Sequence, residues 1–124
     1  LYPAGDLFAF PSRQETFGQT KSEALSCGVP VVAFNETACA EGLVHRANGW
    51  VAKREDLADF AAGLCWGHEV MSDPQKRLKV AACARERVER EYAPDVVAKR
   101  WATLYSTVMA DCPRAGDTKM NAEL

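Results

Sequence analysis

Residues 15–34 read ETFGQTKSEALSCGVPVVAF, and the fold follows from this stretch. Residues 18–27 predict a helix, because Gly28 supplies the left-handed cap with which helices commonly end. The run 31–34 is apolar without alternation, which is typical of a strand buried on both faces of a sheet. Residues 7–10, LFAF, form an earlier apolar run of the same kind. A strand, a helix and a strand in this order predict a parallel βαβ unit.

The rest of the chain predicts one further strand and several helices. Asn48-Gly49 is a strong turn signal before a short strand over 49–52. The predicted helices are a short one at 40–44 and longer ones over 56–66, from Asp73-Pro74 to about Tyr92, and from Pro94 onward. We therefore predict an α/β fold, with a partial Rossmann-like parallel sheet of about three strands, flanking helices and a helical C-terminus. Residues 1–111 should form one domain and 112–124 a disordered tail. The core should include Trp50, Trp66 and Trp101.

Composition narrows the class of protein. The 124 residues carry a net charge of −2 and mix acidic with basic side chains, which gives no basic surface for nucleic acid. Five scattered cysteines without a Cys-x-x-Cys pair argue against a disulfide framework or a zinc site and fit a reducing cytosol. No apolar run approaches the ~20 residues that span a bilayer. We expect a cytoplasmic protein with no transmembrane segment, no nucleic-acid partner and no metal site.

Two carboxylates of the opening stretch are candidates for a ligand site. Glu15 should lie in the loop after the first strand, and Glu23 in the second turn of the helix that Gly18 opens. This edge of a parallel sheet is where open α/β folds bind ligands. In a structural interpretation, Glu15 accepts hydrogen bonds from the amides of residues 17–19 and stabilises the helix N-terminus. In a functional interpretation, those amides face a diphosphate, and both carboxylates accept hydrogen bonds from sugar or ribose hydroxyls. Spacing alone favours neither interpretation.

The sequence around these acids resembles the donor-binding C-terminal domain of retaining GT-B glycosyltransferases, specifically the large family 4 (group 1 type). The likeness rests on residues 4–12, 15–18, 23–32 and 41–50. The paired glutamates form a specific motif because Phe17-Gly18 lies between them and Gly28-Val29-Pro30 follows. Two acids at this spacing without those neighbours would not identify a family. Specific motifs of the family extend over roughly residues 1–66. The later helices resemble the family only in their pattern of apolar and polar residues.

This resemblance implies a reaction and a set of site residues. Glu15 would contact the donor-sugar hydroxyls near the reacting carbon as the catalytic residue, and Glu23 would hold the nucleotide ribose. The other contacts to the sugar and diphosphate would be Phe17, Gly18, Gln19 and Thr20. The implied reaction is transfer of a sugar, of hexosyl type, from a nucleotide diphosphate sugar to an acceptor hydroxyl with retention, in polysaccharide or glycoconjugate biosynthesis. No metal ion or cofactor is implied besides the donor substrate.

The chain also departs from the family pattern. We expect residues 1–124 to contain neither the basic pair that grips the diphosphate in the family nor the N-terminal acceptor domain. We therefore expect a fragment that is inactive alone, from a parent that is cytoplasmic or peripheral at the membrane. Arg13 and Lys21 flank the motif and could partly substitute for the basic pair, but the usual role of such residues, which we expect for both, is that of solvated surface charges. Residues 37–40, TACA, replace the Gly-Gly turn of many relatives. Two alternatives stay open, a GT-B-type nucleotide-sugar epimerase and a non-catalytic α/β module that binds nucleotide sugars.

Overall fold

A computed structural model of the protein describes residues 1–111, leaving aside the side chain of Thr37. The predicted tail over 112–124 lies outside these residues. A short 3-10 helix, Tyr2–Ala4, precedes the other elements. The strands are β1 (Phe8–Phe10), β2 (Val31–Phe34) and β3 (Gly49–Ala52), and the helices are α1 (Gln19–Ser26), α2 (Thr37–Ala40), α3 (Leu57–Ser72), α4 (Pro74–Tyr92) and α5 (Pro94–Asp111).

The three strands form one parallel sheet in the order β1-β2-β3. Phe8 lies opposite Val31, and Val31 lies opposite Gly49. All four residues of the central strand β2 are buried, as expected for a strand covered on both faces. The predicted α/β fold with about three parallel strands is therefore confirmed.

Successive residues of β2 point to opposite faces of the sheet and enter two separate cores. On one face, Val31 and Ala33 pack with Leu25 of α1 and with Ala84 of α4. On the other face, β2 contributes Val32 and Phe34, which pack with Trp50, Ala52 and Phe60. Each large apolar side chain buried in this way contributes about 1.5–3 kcal/mol. The two cores hold the ends of β1, β2 and β3 in fixed positions, and the loops that follow these ends form the candidate site.

The short helix after β2 differs from its prediction. It occupies 37–40 rather than 40–44. The buried side chain of Asn48 explains the difference, because it binds the backbone that would otherwise continue as helix. Its amide donates to the carbonyl of Gly42 at 3.0 Å, and its Oδ1 accepts from the N–H of Val44 at 2.7 Å. These bonds fix residues 42–48 as a loop that leads down to the start of β3.

Helix α3 is longer than predicted, since it continues past Trp66 to Ser72. Its later part contains Gly67, and glycine disfavours a helix interior by about 1 kcal/mol. Here the absence of a side chain permits close packing, because a Cβ on Gly67 would lie 2.6 Å from Cδ2 of Leu7. Tertiary packing therefore outweighs the local preference. The helix α4 that starts at Pro74 is confirmed, with Asp73 accepting from the amide of Gln75 at 2.9 Å.

Two compact units divide the chain, Leu1–Glu91 and the residues from Tyr92 onward. The second unit contains α5, which has no buried residue in the part of the chain that the structure describes. Trp101 is 52% exposed and its ring lies 5.7 Å from that of Tyr105. The prediction that Trp101 fills the core is therefore wrong, whereas Trp50 is buried and Trp66 packs against the second core.

Candidate functional site

The loops that follow the three strands lie together at the carboxyl edge of the sheet. Two ion pairs join them across the sequence. Arg54, after β3, lies 2.7 Å from Glu36, after β2. Arg13, after β1, lies 4.0 Å from Glu55. Such exposed pairs contribute little stability, but they identify which loops are neighbours. The loops after β1, β2 and β3 thus lie side by side at this edge, where we expect the ligand crevice.

Gly18 begins α1 with a backbone that suits glycine. Its φ is 71° and its ψ 50°, the left-handed conformation that other residues adopt only with strain. A Cβ at this position would lie 3.3 Å from the carbonyl oxygen of Ala38 and from Cε of Lys21. The first helical hydrogen bond runs from the amide of Ser22 to the carbonyl of Gly18 at 3.1 Å. The predicted role of Gly18 as the residue that opens the helix is confirmed.

Glu15 lies half-buried in the loop before α1. Its Oε1 accepts a hydrogen bond from the amide of Thr16 at 3.1 Å. The structural interpretation predicted that Glu15 accepts hydrogen bonds from the amides of residues 17–19. The amide of Thr16 lies one residue before that range. The carboxylate also acts electrostatically on Lys21 and on Cys39, so Glu15 faces the α2 side of the crevice.

Glu23 lies exposed in the second turn of α1. Its carboxylate lies beside the hydroxyl of Tyr2, close enough to act on it electrostatically. Desolvation first, and then this carboxylate, raise the pKa of Tyr2 above its ordinary value. Sequence reasoning missed Tyr2, because it lies in a short 3-10 turn far from the motif along the chain. No local pattern could have indicated this contact.

Lys21 contradicts the expectation that it is a solvated surface charge. Its residue surface is only 1% exposed. Its Nζ donates to the carbonyl oxygens of Ala38 at 2.7 Å and Glu41 at 2.5 Å. Desolvation lowers the pKa of the ammonium, and the nearby Glu41, Cys39 and Glu15 act in the opposite direction. The expectation does hold for Arg13, whose side chain is mostly exposed.

The remaining residues of the motif face outward. Phe17 is exposed, although its ring is large and apolar, and so are Gln19 and Thr20 in the first turn of α1. The side chains of Phe17, Gln19 and Thr20 are therefore open to solvent, whereas Gly18 between them is buried.

Two cavities lie at the other end of the sheet. They measure about 380 Å³ and 460 Å³, and both are lined by Arg46 and Trp66. Neither lining includes a residue of the motif 15–23. We place the candidate site at the carboxyl edge because only there do paired carboxylates and the start of a helix supply the groups that bind hydroxyls and phosphates.

The sequence matches the family model described as "Glycosyl transferases group 1" over residues 1–87. It is 32% identical over 111 residues to an uncharacterized glycosyltransferase of Methanocaldococcus jannaschii, a match that covers 88% of this chain and 27% of that protein. The chain thus spans about a quarter of the length of the curated relatives that it matches.

Two solved structures are similar to this chain. One is HepE of Anabaena in complex with UDP and glucose, with a TM-score of 0.70 and 25% identity over 86% of this chain and 28% of that one. The other is the C-terminal domain of LpcC, a group 1 family glycosyl transferase of Francisella tularensis. Its TM-score is 0.62, with 27% identity over 75% of this chain and 46% of that one. Both similarities cover most of this chain and less than half of the solved one.

Proposed function

This chain belongs to the family of group 1 glycosyl transferases, and from that premise we propose that it binds a nucleotide diphosphate sugar at the carboxyl edge of its sheet. Its three parallel strands and flanking helices have the fold of GT-B glycosyltransferases. The proposed reaction transfers the sugar, of hexosyl type, to an acceptor hydroxyl with retention, in polysaccharide or glycoconjugate biosynthesis. The observation that carries this proposal is the left-handed Gly18 at the start of α1, with Glu15 before it and Glu23 after it.

The diphosphate is proposed to bind at the start of α1. The N–H groups of a first helical turn have no partner within their own helix, and the helix dipole adds about half a positive charge there. The missing side chain of Gly18 leaves room for Ala38 and Lys21 behind this turn, so the turn can keep its left-handed backbone. UDP in the structure of HepE supports the choice of a nucleotide diphosphate as the ligand class.

The two carboxylates are proposed to bind the two sugars of the donor. Glu15 would accept hydrogen bonds from hydroxyls of the transferred sugar near the reacting carbon. Glu23 would accept them from the ribose, since vicinal hydroxyls match the two oxygens of a carboxylate. Phe17, Gln19 and Thr20 would contact the sugar and the diphosphate between them. Their exposure supports this assignment.

The departing diphosphate gains negative charge during transfer, and fixed dipoles and cations stabilise such charge without reorganisation. We propose that the start of α1 supplies part of this stabilisation and that no metal ion is required. Transfer that survives an excess of EDTA would agree with this proposal, whereas its loss and restoration by Mg²⁺ would contradict it. The acceptor is proposed to bind on parts of the protein outside this chain.

A binding screen tests the function. UDP, GDP and ADP sugars are titrated into the full-length protein, and the best ligand is titrated again into Glu23→Ala and the control Glu69→Ala. Glu69 is an equally exposed glutamate on α3, away from the motif. We expect Glu23→Ala to weaken binding by about 10- to 100-fold, because a charged acceptor of hydroxyl hydrogen bonds is lost.

Unchanged affinity in Glu23→Ala would mean that the ribose assignment is wrong. Product analysis then separates the alternatives for the reaction. Sugar on an acceptor indicates a transferase, inverted configuration within the nucleotide sugar indicates an epimerase, and binding without turnover indicates a non-catalytic module.

A further inference from the structure

Lys21 is a buried charge inside the candidate site, and the proposed function does not use it. Among residues 1–111 it is the only charged residue that is buried. Its ammonium is held by the carbonyls of Ala38 and Glu41. Burying an ammonium is unfavourable, and an apolar side chain of similar volume often serves stability as well or better. The positive charge is therefore not explained by stability alone.

The ammonium lies directly behind the turn that opens α1. Nζ of Lys21 is 3.4 Å from the point where a Cβ on Gly18 would stand. The backbone of Gly18 therefore lies next to this charge. Charges interact more strongly across such a short, poorly solvated distance than they do across water.

The negative charges around Lys21 also favour a cation at this position. Glu15 and Glu41 both act electrostatically on its ammonium. A diphosphate bound beside Glu15 would be repelled by that carboxylate unless a positive charge offset it. The exposed Arg13 is paired with Glu55 on the outside of the site, so the buried Lys21 is better placed to do this.

We propose that Lys21 is an internal cation of the donor site, which attracts the diphosphate through the backbone of Gly18 and holds residues 38–41 beneath the first turn of α1. The inference rests on the proposed function, because it requires a diphosphate at the start of α1. It assigns to this chain a source of positive charge within the motif itself.

The test compares nucleoside diphosphates with their nucleosides in the full-length protein. UDP, GDP and ADP, each beside its nucleoside, are titrated into wild type, Lys21→Gln and Lys21→Arg. Gln keeps a neutral donor for the carbonyls of residues 38 and 41, and Arg keeps the charge. Lys53→Gln is the matched control, because it removes an exposed lysine at the same edge of the sheet.

We expect Lys21→Gln to weaken binding of the diphosphate by about 10- to 100-fold and binding of the nucleoside by less than about 3-fold. Lys21→Arg should recover part of the lost affinity. Lys53→Gln should change neither. The inference would be overturned if Lys21→Gln weakened binding of the diphosphate and the nucleoside equally, or weakened neither. A wild type that binds no diphosphate more tightly than its nucleoside would instead overturn the proposed function.

A second measurement needs only the wild type and so does not depend on the variants folding. A buried charge is screened far less by salt than an exposed one. Raising the salt from about 0.1 M to 0.5 M should therefore weaken diphosphate binding by less than about 3-fold. A steep loss of affinity would assign the attraction to exposed cations and contradict the role of Lys21.

Discussion

The hydroxyl of Tyr2 lies beside the carboxylate of Glu23, which after desolvation is the next cause that raises the pKa of Tyr2. The ring of Tyr2 is itself fixed, because it packs edge-on against Phe8 of β1 with 5.6 Å between the ring centroids. A carboxylate has two oxygens with several acceptor positions, so a neighbouring hydroxyl leaves capacity for ligand hydroxyls. The packing of Tyr2 on β1 thus places a hydroxyl next to the side chain on α1 that we propose to bind the ribose.

Replacing Tyr2 by Phe should weaken nucleoside diphosphate binding by about 3- to 10-fold, because the hydroxyl beside Glu23 is lost while the ring is kept. Isothermal titration of the full-length variant measures this. The control ligand is the 2′,3′-dideoxy nucleotide, which has no vicinal hydroxyls to offer. If Tyr2→Phe weakened binding of the dideoxy nucleotide to the same extent, the effect of Tyr2 would not act through Glu23.

Local sequence patterns predicted much of the sheet and the start of the site. β2 and β3 have the predicted bounds, since each is a short apolar run beside a glycine or proline that marks a turn. Gly18 and Gly28 both have positive φ where the sequence indicated a helix start and a helix end. These features depend on neighbouring residues, which is why the sequence alone suffices for them.

The contacts that complete the site were not predictable in this way. Lys21 stands among polar residues and looks like a surface lysine, yet residues 38–41 fold over it. The contact between Tyr2 and Glu23 likewise joins two segments that meet only because β1 lies beside α1. Both depend on tertiary packing, and a pattern within one helix or strand carries no information about it.

Gly18→Ala should destabilise the protein by about 1–3 kcal/mol, because alanine is strained at a φ of 71° and its Cβ would press on Ala38 and Lys21. Chemical denaturation measures the free energy of unfolding. The matched control is Gly5→Ala, since Gly5 has a φ of −100° and its Cβ would meet only the Tyr2 carbonyl at an ordinary 3.5 Å. That variant should change stability by less than about 0.5 kcal/mol. Equal effects at the two glycines would contradict the assigned strain.

Two glycines of α3 should respond differently to alanine. At Gly63 a Cβ would lie 2.7 Å from the Trp50 indole and from the Val32 side chain, both in a packed core. We expect Gly63→Ala to destabilise by about 1–3 kcal/mol through overpacking, despite the better helix propensity of alanine. At Gly67 the Cβ would meet the half-buried side chain of Leu7, which can move. Gly67→Ala should therefore destabilise the protein less than Gly63→Ala. Thermal and chemical unfolding compare the two, and a larger loss at Gly67 would reverse this interpretation.

Asp59 should make the protein less stable in acid. Its Oδ2 accepts from the N–H of Lys53 at 2.8 Å and its Oδ1 from the indole N–H of Trp50 at 3.0 Å. The Lys53 bond is the largest cause that lowers the pKa of Asp59 below its unfolded value of 3.8. A lowered pKa means that the folded state binds the proton less readily, so the stabilisation is present above that value and lost as the pH falls through the folded pKa.

Asp59→Asn should therefore reduce the free energy of unfolding by about 1–3 kcal/mol at neutral pH, because one charged acceptor is replaced by a donor that faces the Lys53 amide. The difference from wild type should shrink as the pH falls through the lowered pKa of folded Asp59, because the wild-type carboxylate then becomes protonated as well. Urea denaturation between pH 7 and pH 2.5 measures both quantities, with Asp6→Asn, at an exposed position, as the control that should change little. A difference that stays constant down to the lowest pH would show that the charge of Asp59 does not stabilise the start of α3, and that the loss comes from packing alone.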